Sequence, residues 1–376
     1  MGNTLDNIHK LVDNHHEYAR EWKARTGGKV LGTFCTYVPE EIIYAADVLP
    51  VRILGSLDPQ DVSEAHIASM YCPFCRDCLA QGLQGRYEYL DGVMIAKSCM
   101  HMLQAFRSWI LHLPTGYNYF MGVPALMGVT HARDFLSSEI EGFKASMEAW
   151  LGRTISEDDL DRGIDIVNTN RRLLRGLYEL RKADPPLISG AEAATLVVAS
   201  QITDKREINP MLAQILQNLP ERRDGSGPGP RIMMIGSENH DLELLRLIES
   251  CGATIVIEEQ CTGSRYFWNQ VIPEGDRISA IAQRYISRPR CPLKDINERQ
   301  RLDHVMDLAR EFNVQGALLV HQKFCAPHEF DLPHIDELLK GEGIPTYVLE
   351  LDVTMHKGSV TTRTEAFLEM LELDLV

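Results

Sequence analysis

The chain lacks several things that would decide its class at once. No stretch approaches the ~18 consecutive apolar residues of a membrane span. The opening, Met1 to Lys10, has no apolar core of the signal-peptide kind, and Asp6 stands where a myristoylation signal wants Ser or Thr. A cytoplasmic protein with reduced thiols is expected. No G-x-x-x-x-G-K-[ST] phosphate loop is present, so the chain is not expected to hydrolyse ATP itself. No G-x-G-x-x-G follows an apolar run, which leaves nicotinamide binding without support. Positive charge is short as well. Thirty-eight Lys and Arg face 53 Asp and Glu, a net charge of −15, which argues against nucleic acid as a partner.

Cysteine is what the chain does have. Nine occur in 376 residues, an odd number and a poor disulfide framework. Three are packed as Cys72-Pro-Phe-Cys75-Arg-Asp-Cys78; Cys99 and Cys325 each end an apolar run. Thiolates gathered from separate loops hold soft metals or iron–sulfur clusters.

Short apolar runs alternate with helical patterns on both sides of a strand-free middle. Strands are expected at Lys29 to Phe34, Val51 to Gly55, Asp91 to Ala96 and Tyr117 to Val123, then at Arg231 to Ile235, Thr254 to Ile257, Ala317 to Val320 and Thr346 to Glu350. Helices between them imply crossovers on parallel sheets, hence an α/β protein with roughly four strands in each half. The divisions expected are 1–28 (N-terminal helical segment), 29–131 (first α/β domain), 132–224 (helical insert or bridge) and 225–376 (second α/β domain). Ser156-Glu-Asp-Asp159 resembles a capping box, and Arg223 to Pro230 reads as a Gly- and Pro-rich linker.

Ligands of open parallel sheets sit at the carboxyl ends of the strands. Cys35, Cys99 and Cys325 lie just past expected strands, and Cys72 lies just before the helix opened by Pro73. A thiolate at a helix N-terminus is favoured by the dipole, so Cys72 is the best ligand of its run, with Cys75 and Cys78 read as packing residues. A single C-x2-C knuckle is thin support for zinc. Cys251 and Cys291 read as ordinary core or loop residues, whereas Cys261 follows a strand and is open to either role. Glu40 and Glu41, a few residues past Cys35, are acid–base candidates or simple first-turn acids. His101, beside Cys99, is a proton or hydrogen-bond donor to a cluster sulfur or a partly exposed helix histidine. Arg284, Arg288 and Arg290 read as a solvated surface group, with the phosphates of a ligand as the alternative partner.

Four segments carry a resemblance: Gly32 to Ala46 (GTFCTYVPEEIIYAA), Tyr71 to Cys78 (YCPFCRDC), Leu90 to Cys99 (LDGVMIAKSC) and Thr362 to Glu369 (TRTEAFLE). They resemble the 2-hydroxyacyl-CoA dehydratase and benzoyl-CoA reductase family over nearly the whole chain. The wording around Cys72 and Cys99 is most similar to the smaller of the two cluster-bearing subunits of the ATP-dependent reductases. The resemblance implies two flavodoxin-like domains with one 4Fe–4S cluster between them, held by Cys72, Cys99 and Cys325. It puts the family's acid on Glu41. It implies a sister cluster-bearing subunit and separate ATP-hydrolysing activator subunits, with ferredoxin as electron donor. The implied reaction is one-electron reduction of an aromatic acyl-CoA to a cyclic dienoyl-CoA. Dehydratases often read Ser-Cys-Asp where this chain has Ser98-Cys99-Met100, a departure that leans toward the reductase. The alternatives are a 2-hydroxyacyl-CoA dehydratase subunit and a non-catalytic electron-transfer subunit of the same complex.

Overall fold

The computed structural model describes residues 2–222, 229–352 and 357–374. Most of the expected linker, 223–228, lies outside them. Helices α1 (Gly2–Asp13) and α2 (His15–Thr26) lead into β1 (Val30–Phe34), α3 (Glu40–Ala45), β2 (Leu49–Arg52), α4 (Pro73–Leu83), β3 (Gly92–Ala96), α5 (Met100–His112) and β4 (Tyr117–Met121). The middle is helical: α6 (Ala132–Leu151), α7 (Glu157–Glu179), α8 (Gly190–Ile202) and α9 (Lys205–Asn218). The second series runs β5 (Arg231–Gly236), α10 (Leu242–Ser250), β6 (Thr254–Glu259), α11 (Ser264–Phe267), α12 (Arg277–Ser287), α13 (Gln300–Glu311), β7 (Gly316–Gln322), α14 (Ala326–Gly341), β8 (Thr346–Leu351) and α15 (Lys357–Asp374).

Each series makes one four-stranded, all-parallel sheet, ordered β2-β1-β3-β4 and β6-β5-β7-β8. This is the flavodoxin-like order with four strands, and its switch points fall between β1 and β3 and between β5 and β7. β1, β3, β5 and β7 are buried along their whole length, as parallel strands covered on both faces require.

β2 begins two residues before the expected Val51. Pro50 discourages a strand assignment because it lacks an N–H, but β2 is an edge strand and can do without that ladder bond. Ser156 Oγ accepts from the Asp159 N–H (3.2 Å) and Asp159 accepts from the Ser156 N–H (2.9 Å), so the capping box opens α7. α8 is buried along nearly its whole length. Its Ala193, Leu196 and Val197 enter one core, Val198 and Ile202 a second, and Ala191 and Ala194 a third. α12, late in the chain, packs Ile278, Ile281 and Tyr285 among Leu31, Met94 and Phe143 of the first sheet's core. The two halves are therefore clasped together by shared helices.

Candidate functional site

All the cysteines except Cys78 and Cys251 line one chamber with a cavity volume of about 80 Å³. That is above the ~10–15 Å³ a single water needs, so it is a cavity and not a packing fault. Loops leaving the carboxyl ends of both sheets form it: those after β1, β3, β5, β6 and β7 contribute, and Arg52 ends β2 there.

Cys72, Cys99 and Cys325 each occupy the N-cap position of a helix: α4, α5 and α14. Pro73 supplies a first turn that needs no N–H, and Cys99 accepts the Met102 N–H at 3.3 Å. Three helix N-termini thus bring their positive ends to one chamber. The Cys72 and Cys75 sulfurs are 3.1 Å apart. Hydrogen bonding with Cys75 is the main cause that draws the Cys72 thiol down to about 6, with His101 adding to it against burial. Hydrogen bonding with Cys75 also leads the downward shift of Cys99. Burial pushes Cys75 and Cys325 well up. Cys325 feels Cys72 and Cys99, so the three expected ligands share one electrostatic neighbourhood.

His101 is half-buried, and its Nδ1 accepts the Cys72 N–H at 3.1 Å. Hydrogen bonding to the Cys72 thiol is the first cause raising its pKa. Glu41 goes elsewhere. It is wholly buried and does not line the chamber; its carboxylate meets Arg171 at 2.7 Å and accepts from the Tyr285 hydroxyl at 3.1 Å. Burial alone raises its pKa, but Arg171 and Arg284 outweigh that and hold it below the ordinary carboxylate value. Glu40 takes Lys205 Nζ (3.1 Å) and the Tyr266 hydroxyl (2.8 Å), and borders a small cavity beside Cys35 and Arg52.

Two expectations need correcting. Cys75 does more than pack, since its sulfur lies 3.1 Å from that of Cys72 and hydrogen bonding with it is the first cause lowering both Cys72 and Cys99. Arg284, Arg288 and Arg290 are not a solvated group; they are 2%, 3% and 7% exposed. Arg288 is bonded to the Thr36 and Arg265 carbonyls, and Arg290 is paired with Asp295 and Glu298. The partners of Arg288 are distant in sequence, so nothing local marks it as an inside residue. Cys261 and Cys291 reach the chamber by rules already visible: Cys261 lies just past β6, and Cys291-Pro292 repeats the Cys72-Pro73 pattern.

Among the described residues, no group of three or more His, Cys, Asp and Glu side chains gathers tightly enough for a metal ion. The thiols ring a chamber instead of closing on a point. A thiol-rich donor set spread around a cavity fits a multi-iron unit better than a tetrahedral zinc ion.

The family model described as 2-hydroxyglutaryl-CoA dehydratase, D-component, matches residues 35–371, and the chain belongs to that family. Among its relatives is the (R)-phenyllactyl-CoA dehydratase beta subunit of Clostridium sporogenes, 24% identical over 96% of each chain. The C-type subunit of the benzoyl-CoA reductase of Thauera aromatica is 26% identical over 87% of this chain and 86% of its own. The beta subunit of (R)-2-hydroxyglutaryl-CoA dehydratase from Acidaminococcus fermentans is 24% identical over 98% of each. Dehydratase and reductase subunits thus stand at nearly the same distance. Among the described residues, no helix is long and apolar enough to cross a membrane.

Proposed function

We propose that the chain is a subunit of an ATP-dependent acyl-CoA reductase of the benzoyl-CoA type, with Cys72, Cys99 and Cys325 holding a 4Fe–4S cluster. The observation that carries this reading is the convergence of three helix-capping cysteines, drawn from both sheets, on one buried chamber. When bound, such a cluster supplies single electrons at a potential set by burial and by hydrogen bonds to sulfur. Three protein thiolates leave one iron position without a protein ligand.

The chain's own residues do the rest. Phe74, Met102 and Pro327 wall the chamber with apolar surface. His101 fixes the Cys72 backbone and stands half-buried beside it, where a proton can be held close to the thiolates. The acid expected at Glu41 is, in this reading, a positioning group that anchors α3 through Arg171. Electrons come from an ATP-hydrolysing activator fed by ferredoxin, which agrees with the missing phosphate loop. The assembly also includes a sister cluster-bearing subunit. The substrate is an aromatic acyl-CoA, whose thioester carbonyl is conjugated with the ring and spreads the charge of the first added electron. The complex works in the cytoplasm, with no nucleic acid or membrane partner.

The second reading, a 2-hydroxyacyl-CoA dehydratase subunit, is favoured by the full-length match to dehydratase beta subunits. Anaerobic turnover of the assembled complex separates the two. Reductant and ATP consumed in proportion to dienoyl-CoA formed support the reductase. Water lost from a hydroxyacyl-CoA with no net use of reductant overturns it.

A further inference from the structure

A second cavity lies against the chamber. Its volume is about 400 Å³, inside the ~300–1,000 Å³ range of small-molecule sites. The loops after β2 and β5, helices α4 and α10, the ends of β7 and β8 and the start of α15 enclose it. Phe74 and Gln322 line both cavities, so the two share a wall. No cysteine lines the second one.

Its charges exclude one kind of ligand. Four carboxylates, Asp77, Asp241, Glu243 and Asp352, face one ammonium, Lys357. Asp77 accepts the Ser56 and Leu57 N–H groups at 3.0 Å each and Gln81 Nε2 at 3.1 Å. Asp241 caps α10 through the Leu244 N–H, Glu243 meets Arg246, and Asp352 meets Lys323 at 2.8 Å. The excess of acid repels an anion. Carboxylates that already hold partners make no demand for a cation.

The idle groups are neutral. Gln60 is 4% exposed, and its Oε1 has no hydrogen-bond partner among the described residues; Asn239 is 5% exposed, and its Nδ2 has none. Asn239 Oδ1 accepts the Asp241 N–H at 3.3 Å, so the amide is oriented with its donor end left over. Both ring nitrogens of His240 are buried and unpartnered as well. A neutral imidazole carries one N–H and one lone pair in either tautomer, so this ring lacks a partner of each kind. Buried polar atoms without partners are costly, and these belong to residues lining one cavity. Leu244, Leu351 and Val360 add apolar wall. The Phe74 and His240 rings, 5.5 Å between centroids and tilted by 55°, offer a surface on which a third ring packs.

We propose that this pocket binds an uncharged aromatic molecule bearing a carboxamide-like pair of acceptor and donor. The ring packs on Phe74 and the leucines, Asn239 Nδ2 donates to the carbonyl, and Gln60 Oε1 accepts the N–H. The site stands apart from the reductase reading, since none of its groups is a proposed cluster ligand.

The test uses benzamide, followed by ligand-observed NMR on the full chain prepared without oxygen, with benzoate as the anionic control of equal size. Benzamide is expected to saturate one site with a dissociation constant near about 1 mM. Benzoate is expected to bind at least about tenfold more weakly. Asn239→Leu, nearly equal in volume, is expected to weaken benzamide about tenfold, and Val360→Trp, which fills the apolar end, to abolish its binding. Gln60→Met takes the place of either variant that fails to fold. Absence of saturable benzamide binding to the unmutated chain overturns the site, and benzoate binding as tightly overturns the ligand class. Binding that survives the variants unchanged lies elsewhere and also overturns the site. None of these outcomes involves turnover, so the reductase reading is left to its own assay.

Discussion

At the scale of single residues, the chain sets charge inside its core and satisfies it with charge. Glu41 is the clearest case: fully buried, paired with Arg171, and ionised because the guanidinium groups outweigh desolvation. Removing one partner of such a pair strands the other, at a cost of about 3–5 kcal/mol. Arg171→Met is therefore expected to lower the urea midpoint strongly, and adding Glu41→Gln to recover much of the loss. The pair also sets an acid limit. A carboxylate whose folded pKa lies below its unfolded value contributes stability above the unfolded value and loses it as pH falls through the folded one. Stability contributed by Glu41 is thus expected to be intact near neutrality and to drain below about pH 4.5, with Glu41→Gln flattening that part of a urea-midpoint-against-pH curve.

How far the site could be read from sequence divides along the same line. Cysteines just past apolar runs were legible, because a buried parallel strand ends where its apolar run ends. The arginines were not. Burial of Arg288 depends on carbonyls of Thr36 and Arg265, and no local pattern announces partners that the fold brings from elsewhere. The role of Cys75 was hidden for a similar reason: its place on the body of α4 reads as packing until the neighbouring sulfurs are known.

At the scale of elements, the strand and helix sequence was legible to within a few residues because buried strands and amphipathic helices differ in period. The close contact between α3 and α7 was not, since it turns on a missing side chain. Gly163, inside α7, lies against α3; a Cβ there would sit 2.2 Å from the Glu41 carbonyl oxygen and 2.9 Å from the Ala45 nitrogen. Gly→Ala inside a helix normally gains about 1 kcal/mol. Here the backbone cannot yield cheaply, and overpacking of this kind costs about 1–3 kcal/mol. Gly163→Ala is expected to lower the thermal midpoint; an increase would show that α3 and α7 can move apart freely.

At the scale of the whole molecule, two sheets suggest two independent folding units, but the helices argue otherwise. α8 feeds three cores, and α12 returns from the second series to cover the first sheet. Neither sheet keeps its covering if the other half melts. Calorimetry is expected to give one cooperative transition with calorimetric and van't Hoff enthalpies in agreement. Two resolved peaks would mean that the shared helices contribute little.

The chamber has one more consequence. Its walls come from loops that lie far apart along the polypeptide, as Cys72 and Cys325 do. A cluster held there, as proposed, would act as a rivet through both halves, closing a very long loop that the denatured chain would otherwise leave free. On that reading, losing the cluster is expected to loosen the scaffold as well as silence the chemistry.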